Sequence, residues 1–268
     1  PPRPAGRGGQ CLHQGCMVIC ALNDVARSLE QMEVLHRSGI VSTRPEVSFP
    51  VLISRMREII GTIAGVLDAE TRDAGVSVIT APATLDGRQV SVNGEPVEAE
   101  AVIIATGTRP SSPGIDGDTL PGVYTAHTLL SMPDLPRHLI IIGGGAIATE
   151  IAYIFTVLGS QVTILARSTL LRSFPPELVR EAKRELHQAD ILEHAVVTRI
   201  TGDDRVTGVV VQSNGDTLSI GGDAVLIAAG MIPNLEGING PELTDEGYIR
   251  ITPRMETSVQ GIFAVGDV

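Results

Sequence analysis

Apolar residues recur at three- and four-residue spacing in two long segments near the start of the chain, which predicts two amphipathic helices. The first is expected to run from a cysteine-rich stretch to about Ser38, and the second from Ser48, with Pro50 in its first turn, to Gly75. The apolar positions are Leu22, Val25, Leu29, Met32 and Leu35 in the first helix and Val51, Leu52, Met56, Ile59, Ile60, Ile63 and Leu67 in the second.

Short apolar runs bounded by glycine, proline or asparagine predict strands in the rest of the chain. One strand is expected at 76–80, and hairpins are expected around Asn93-Gly94 and Asn214-Gly215. Runs that are almost entirely apolar are typical of strands buried on both faces, and they lie at 101–105, 138–142 and 224–229. Glycines fall near the strand ends, as an α/β fold requires.

Composition excludes several classes of partner. The chain has 268 residues, 43% of them hydrophobic, which is ample for one or two domains. A net charge of -11 and the absence of Trp argue against a nucleic acid or an anionic membrane surface as partner. The longest apolar stretch, 139–159, contains consecutive glycines and Glu150, so it indicates a strand, a turn and a helix and not a membrane span.

The chain begins Pro-Pro-Arg-Pro, shows no signal-peptide pattern, and is expected to form a loop before about Gly9. Its 3 cysteines lie close together, which is unlike a secreted disulfide scaffold and favours a cytoplasmic enzyme that uses thiols.

The cysteine stretch reads Gly-Gly-Gln-Cys-Leu-His-Gln-Gly-Cys and admits three interpretations. A bridge between Cys11 and Cys16 would need a distorted helical turn, because five residues of ideal helix rise roughly 7.5 Å, and Gly15 supplies the freedom. Such a strained bridge is easily reduced, which suits redox catalysis. The alternatives are a metal cluster that adds His13 and Cys20, although the spacing matches no common zinc pattern, and small apolar packing in a core.

The strand predicted at 138–142 runs into Gly-x-Gly-x-x-Ala, the spacing of a dinucleotide-binding turn. Gly143 permits the tight turn, Gly145 lets the backbone approach a pyrophosphate, and Ala148 allows close helix packing. A helix to Leu158 and a strand at 161–165 would complete the unit, against the alternative of an ordinary strand–turn–helix. The cofactor-binding residues expected at this turn are Gly143, Gly144, Gly145, Ala146, Ile147 and Ala148.

The end of the strand at 161–165 should select the pyridine nucleotide. An acidic residue there would bind the ribose hydroxyls of NAD, but this chain has Arg167, with Arg172 shortly after. Arginine suits the additional phosphate of NADP. The alternative is that Arg167 is a solvated surface residue, and NAD then remains possible.

The cysteine stretch, Gly-Gly-x-Cys-x-x-x-x-Gly-Cys followed by a helix, resembles the redox-active disulfide of the flavin-dependent pyridine nucleotide–disulfide oxidoreductases. The resemblance implies that Cys11 and Cys16 are catalytic. Cys16 would lie nearer the flavin as the charge-transfer thiolate, and Cys11 would attack the substrate disulfide. One departure is that Cys20 stands where the family has a lysine beside the flavin, whereas Glu150 keeps the place of that lysine's glutamate partner.

Further motifs occur in the order of the same family. Thr106-Gly107 resembles the turn that abuts the flavin, and Gly230 ends the corresponding later strand. Gly266-Asp267 resembles the Gly-Asp pair whose aspartate hydrogen-bonds the ribityl chain of FAD. Glutathione and mercuric reductases carry an arginine after the selecting strand, whereas dihydrolipoamide dehydrogenases usually carry an acid.

The resemblance implies an α/β fold with two Rossmann-like nucleotide-binding domains. The expected segments are a partial FAD-binding domain with the redox-cysteine helix at 1–122, an NAD(P)-binding domain at 123–239 and a return to the FAD-binding domain at 240–268. No flavin-side Gly-x-Gly-x-x-Gly precedes the cysteines, and no interface domain follows Asp267. We therefore expect an interior fragment whose FAD domain is incomplete and which is inactive when isolated.

The implied function is transfer of electrons from NADPH through FAD to a Cys11–Cys16 disulfide and on to a small disulfide or dithiol substrate. The full-length protein is expected to be a homodimer, with FAD and NADP as cofactors and no metal, nucleic acid or membrane as partner. The alternatives are an NAD-linked enzyme resembling dihydrolipoamide dehydrogenase and a non-catalytic nucleotide- or metal-binding relic.

Overall fold

The structure is a computed structural model that describes residues 8–268, so the loop expected before Gly9 lies almost entirely outside the described residues. Within that range the helices are α1 (Gly9–His13), α2 (Cys16–Arg37), α3 (Phe49–Asp73), α4 (Ala146–Leu158) and α5 (Pro176–Glu185), with a 3₁₀ turn at Leu129–Ser131. The strands are β1 (Ala83–Asp86), β2 (Gln89–Val92), β3 (Glu95–Val97), β4 (Val102–Ile104), β5 (Thr108–Pro110), β6 (Val123–Thr125), β7 (His138–Ile142), β8 (Gln161–Ala166), β9 (Asp190–Glu193), β10 (Ala195–Gly202), β11 (Val206–Ser213), β12 (Asp216–Gly221), β13 (Ala224–Ile227), β14 (Met231–Pro233), β15 (Ile238–Asn239) and β16 (Ile262–Ala264).

The described chain divides into two compact units. The first contains residues 8–67 and 110–230, and the second contains Asp68–Arg109 and Met231–Val268. These units are defined by packing alone, so the assignment of 1–122, 123–239 and 240–268 to cofactor-binding domains stays a prediction. Within residues 8–268, no helix has both the length and the apolar character that crossing a bilayer requires.

A five-stranded parallel sheet in the order β6-β13-β7-β8-β9 forms the centre of the first unit. Successive side chains of β7 point to opposite faces of this sheet, as a strand geometry requires. Leu139 and Ile141 pack with helices α2, α3 and α4, whereas Ile140 and Ile142 pack with the antiparallel meander β10-β11-β12. Both faces are therefore covered, which confirms the prediction of a buried strand here.

Helices α2 and α3 bury only their first halves. The buried residues are Val18, Leu22 and Ala26 in α2 and Phe49, Ile53 and Met56 in α3. Phe49 stacks against Phe155 of α4 with ring centroids 5.9 Å apart. The prediction of one continuous apolar face was therefore wrong for Met32 and Leu35, which lie beyond the buried half of α2, and for Val51 and Ile59, which are exposed within the first half of α3.

The second unit contains smaller sheets. Strands β1, β2, β3 and β15 form one, in which the predicted hairpin at Asn93-Gly94 is confirmed by the pairing of Val92 with Glu95. Strands β4 and β16 pair in parallel, and β5 pairs with β14. A core of mixed strand and loop residues holds this unit together: Leu85, Ile104, Ile249, Ile262, Ala264 and Val268.

Two strand predictions in the second unit differ from the structure. Residues 76–80 form no strand, and Ile79 is 65% exposed, because no described strand pairs with them. The run at 101–105 forms the short strand β4, but Ile103 is also 65% exposed, so this strand is not buried on both faces. The sequence predicted the strand correctly but not its surroundings, since β4 pairs with β16 alone among the described strands.

Candidate functional site

The glycine turn after β7 is shaped by two close backbone approaches. Gly143 has a φ of 139°, and a Cβ placed on it would lie 2.2 Å from the carbonyl oxygen of Ala228. A Cβ on Gly144 would lie 2.7 Å from the Cβ of Ala166. Gly145 differs, because nothing lies within 4 Å of its Cβ position. The first two glycines are therefore required by packing, and the third leaves open space where a ligand's pyrophosphate could approach.

Helix α4 begins directly after this turn with Gly145 as its N-cap and with no side-chain cap. Its first residues, Ala146 and Ile147, therefore present backbone N–H groups that can bind an anion. Ala148 is fully buried, as close packing of the helix requires. These residues fit a bound dinucleotide, and their arrangement is the one that the sequence predicted.

Gly230 lies at the same end of the parallel sheet. Strand β13 pairs in parallel with β7, and the N–H of Ala228 donates to the carbonyl of Ile142 at 2.8 Å. Gly230, which follows in the chain, has a φ of 116° and accepts a hydrogen bond from the N–H of Ser111 at 2.9 Å. Because carboxyl ends of parallel strands share one edge, the structure brings Gly230 and the glycine turn together.

The loop at 167–174, here called the arginine loop, follows β8. Arg167 and Arg172 are exposed, and neither has an ion-pair or hydrogen-bond partner among the described residues. Between them, Leu170 and Leu171 are buried, at 1% and 6% exposure. The N–H of Leu171 donates to the carbonyl of Gly144 at 2.6 Å, which ties this loop to the glycine turn.

Sequence reasoning missed Glu193, an acid beside the end of β8. It ends β9, and its partner in the sheet register is Ala166. Its Oε1 accepts hydrogen bonds from Lys183 Nζ at 2.8 Å and from the N–H of Leu170 at 2.7 Å. The bond from Lys183, and then that from Leu170, hold the pKa of Glu193 below its usual value. The parallel pairing of β8 with β9, which brings Glu193 beside Ala166, was not predicted from the sequence.

The cysteine stretch folds as two helices with a break between them. Cys11 lies in α1, Cys16 is the first residue of α2, and Gly15 is its N-cap. The expected single helix is therefore interrupted, and the interruption falls at the glycine that the sequence identified. It lets the backbone turn so that the Cys11 and Cys16 side chains meet.

The thiols of Cys11 and Cys16 lie close enough to interact. Hydrogen bonding to Cys11 is the largest cause that raises the pKa of the Cys16 thiol, followed by burial and then by the charge of Cys11. Cys20 is close enough for its charge to contribute to the same shift, although less. All three cysteines are reduced and exposed, which is inconsistent with the apolar-core interpretation. Within residues 8–268, no group of three or more possible ligands is placed to hold a metal ion.

Glu150, in α4, is exposed and has no hydrogen-bond or ion-pair partner among the described residues. Its expected lysine partner is replaced by Cys20 in this chain, and the structure places the Glu150 side chain in solvent. A neighbouring residue of α4 does make a link: the Tyr153 hydroxyl donates to Glu30 Oε2 at 3.0 Å. Burial, and then this hydrogen bond, raise the pKa of Tyr153 to about 12, so it stays a donor that joins α4 to α2.

The two turns predicted to contact FAD lie at one edge of the second unit. Thr106-Gly107 follow β4 and Gly266-Asp267 follow β16, and these strands pair in parallel. Gly107 and Gly266 have φ values of 66° and 78°, with nothing within 4 Å of their Cβ positions. Asp267 is exposed. The backbone at both turns is therefore open, which fits the close approach of a bound flavin nucleotide.

Asn234 stabilises the first of these turns. Its side-chain Nδ2 donates to the carbonyl of Thr106 at 3.0 Å, and its N–H donates to the carbonyl of Gly107 at 2.8 Å. In return, Thr106 Oγ1 donates to the carbonyl of Asn234 at 2.7 Å. The sequence did not predict this reciprocal bonding.

The sequence pattern of the pyridine nucleotide-disulphide oxidoreductase family matches residues 5–268. The chain belongs to this family. The predicted family and the predicted α/β FAD/NAD(P)-binding fold are therefore confirmed.

Relatives within the pyridine nucleotide-disulphide oxidoreductases include two named reductases. The mercuric reductase of Lysinibacillus sphaericus is 30% identical over 276 positions, covering 97% of this chain and 50% of that protein. The glutathione reductase of Burkholderia cepacia is 33% identical over 269 positions, covering 97% of this chain and 59% of that protein. The chain thus spans about half the length of the curated relatives it matches.

A solved member of the family has a similar structure. The HOCl-induced flavoprotein disulfide reductase RclA from Escherichia coli superposes with a TM-score of 0.80 at 29% sequence identity. The match covers 98% of this chain and 58% of that protein.

Proposed function

We propose that this chain is part of a flavoprotein disulfide reductase that uses NADPH and FAD to reduce a small disulfide-type substrate. The observation that carries the proposal is the placement of two exposed cysteines, Cys11 and Cys16, on either side of the break between α1 and α2. Among the relatives, the mercuric reductase, the glutathione reductase and the flavoprotein disulfide reductase support the same kind of reaction by their names.

The two thiols have the chemistry that disulfide exchange requires. The Cys11 thiolate attacks one sulfur of the substrate, which forms a mixed disulfide and releases the other sulfur as a thiolate. Cys16 then loses its proton and attacks the Cys11 sulfur, which releases the second substrate thiolate and leaves a Cys11–Cys16 disulfide.

FAD and NADPH, when bound, would supply the electrons that return this disulfide to two thiols. The glycine turn and the start of α4 would hold the pyrophosphate of NADPH. Thr106-Gly107 and Gly266-Asp267 would contact FAD, with the Asp267 carboxylate available to accept hydrogen bonds from its ribityl hydroxyls. Gly145 and Ala146 in the first site, and Thr106, Gly266 and Asp267 in the second, are exposed, which supports a role in binding.

The preference for NADPH over NADH rests on the arginine loop. Arg167 and Arg172 are exposed guanidinium groups without a partner among the described residues, and the one acid at the end of the adjacent strand, Glu193, is already bonded to Lys183 and Leu170. Two free guanidiniums can bind a 2′-phosphate through charge-assisted hydrogen bonds.

Arg167→Glu is the substitution that tests this preference. A hydrogen bond to a charged group contributes about 1.5–3 kcal/mol, so NADPH affinity should fall about ten- to a hundredfold. NADH affinity should change little or improve. Titration of both nucleotides against wild type and variant measures the effect. If wild type prefers NADH, or if the variant loses both nucleotides equally, the NAD-linked alternative resembling dihydrolipoamide dehydrogenase becomes the better account.

A further inference from the structure

The arginine loop has exposed ends and a fixed centre. Leu170 and Leu171 are buried, whereas Arg167 and Arg172 on either side of them are exposed. Leu171 has a φ of 51°, a backbone conformation that is unfavourable for a non-glycine residue and persists only where the surroundings impose it. Something in the surroundings must therefore hold the loop in this conformation.

Hydrogen bonds from three directions hold the loop. The N–H of Leu171 donates to the carbonyl of Gly144 at 2.6 Å, within the glycine turn. The carbonyl of Ser168 accepts the N–H of His194 at 3.2 Å. These two bonds are made by the backbone, so substitution of a side chain does not remove them directly. The third bond is different, because the acceptor is the side chain of Glu193.

Glu193 holds the loop through the N–H of Leu170, at 2.7 Å. Its side chain is 26% exposed, and the ammonium group of Lys183 on α5 lies 2.8 Å from the same carboxylate oxygen. The carboxylate is thus a charged acceptor for the loop backbone, and its own charge is balanced by a cation on a neighbouring helix. Such charge-assisted bonds are stronger than bonds between neutral groups.

The position of Glu193 gives this pair a second effect. Glu193 is adjacent in register to Ala166, directly before Arg167, so its charge lies at the sheet edge where a 2′-phosphate would bind. A free carboxylate there would repel the phosphate and attract the guanidinium groups. Lys183 offsets that charge.

We propose that Glu193 is a positioning residue for recognition of the 2′-phosphate of NADPH, and that Lys183 makes this role possible. Glu193 fixes the loop through the Leu170 amide, and Lys183 prevents its carboxylate from competing with the phosphate for Arg167 and Arg172. The inference rests on the proposed preference for NADPH, which it deepens by naming residues that do not touch the nucleotide.

The test compares two ligands that differ only in the 2′-phosphate: adenosine 2′,5′-bisphosphate and 5′-AMP. Isothermal titration of the flavin-free 268-residue chain gives both dissociation constants for each variant. Glu193→Ala removes the acceptor of the Leu170 amide. It should weaken bisphosphate binding about tenfold, equivalent to about 1.4 kcal/mol, while AMP binding stays within about twofold.

Conservative variants separate positioning from simple loss of structure. Glu193→Gln keeps an oxygen acceptor for the amide, so it should bind the bisphosphate within about threefold of wild type. Lys183→Met leaves the Glu193 charge uncompensated and should weaken the bisphosphate roughly three- to tenfold. Adding Glu193→Gln to Lys183→Met should restore most of this loss. Arg184→Met is the matched control, since Arg184 pairs with Glu181 on the exposed side of the same helix.

The outcomes are distinguishable. If wild type does not discriminate between the bisphosphate and AMP, the proposed NADPH preference fails and the inference fails with it. If wild type discriminates but Glu193→Ala does so equally well, only the inference fails. Equal weakening of both ligands together with a lowered melting temperature would also overturn it, since Glu193 would then be merely structural. If Glu193→Ala does not fold, the double-mutant cycle of Lys183→Met and Glu193→Gln still tests the proposal. Additive losses of bisphosphate affinity in that cycle would contradict it.

Discussion

Two apolar strands that end in glycine turns have different surroundings in this molecule. Strand β7 lies between β13 and β8, and its Ile141 is fully buried. Strand β4 pairs with β16 alone among the described strands, and its Ile103 is 65% exposed. The two runs look alike in sequence, so an apolar run predicts a strand, but the burial of that strand depends on neighbours that the run does not encode.

This difference extends to the candidate sites at the strand ends. The glycine turn, Gly230 and the arginine loop belong to one compact unit with a covered five-stranded sheet. The turns expected to contact FAD rest on a two-stranded sheet in the other unit. We therefore expect the pyridine-nucleotide site to be stable within this chain and the flavin site to be weaker.

The largest expected difference comes from making the same substitution in both strands. Ile141→Ala removes fully buried methyl groups and should lower the free energy of unfolding of the first unit by about 2–5 kcal/mol. Ile103→Ala removes mostly exposed atoms and should cost about 0.5 kcal/mol or less. Urea denaturation followed by circular dichroism compares them. Equal losses would mean that β4 is buried by contacts that the structure does not show.

A substitution at the glycine turn should affect binding without affecting stability. Nothing lies within 4 Å of the Cβ position of Gly145, so Gly145→Ala should leave the melting temperature unchanged. The added methyl group would occupy the space into which the pyrophosphate must come. It should therefore weaken NADPH binding at least about tenfold, equivalent to about 1.4 kcal/mol.

The control for this experiment is Gly65→Ala in α3, where the Cβ position is also open but no nucleotide is expected. It should leave NADPH binding unchanged. Normal NADPH binding by Gly145→Ala would show that the turn does not hold the pyrophosphate.

The sequence predicted the parts of the fold that depend on local signals. The glycine turn with its flanking strand and helix and the hairpins at Asn93-Gly94 and Asn214-Gly215 need only neighbours in sequence, and all are present. The exposure of Ile103 and Ile79 was not predictable, because it depends on strands that do not pair there. The predicted apolar faces of α2 and α3 were too long, because only the first part of each helix packs on the core.

The candidate site shows a similar limit. Arg167 could be identified from its position after a predicted strand. Glu193 could not, since its relation to the arginine loop depends on the pairing of β8 with β9 and on a bond to a backbone amide. The contact between Cys11 and Cys16 was implied by the family pattern, and the break at Gly15 that permits it was indicated by the geometry of an ideal helix.

The smallest expected effect concerns the thiols, which lie in the first unit but outside its sheet. Because a hydrogen bond with Cys11 is the main cause of the raised pKa of Cys16, Cys11→Ala should lower that pKa. The alkylation of Cys16 by iodoacetamide, followed by peptide mass spectrometry across a pH series, should then reach its midpoint at lower pH than in wild type. Cys20→Ala removes a smaller contribution to the raised pKa of Cys16, so it should shift the alkylation midpoint less. An unchanged or higher midpoint in Cys11→Ala would contradict the contact.

The comparison between the two sites is tested most directly by binding each cofactor to the chain alone. Isothermal titration of the flavin-free 268-residue protein with NADPH, and separately with FAD, measures both sites under the same conditions. The account predicts one NADPH bound per chain, with FAD bound more weakly or not at all, because the glycine turn is supported by a covered sheet and the flavin turns are not. Tight, stoichiometric binding of FAD without binding of NADPH would contradict it.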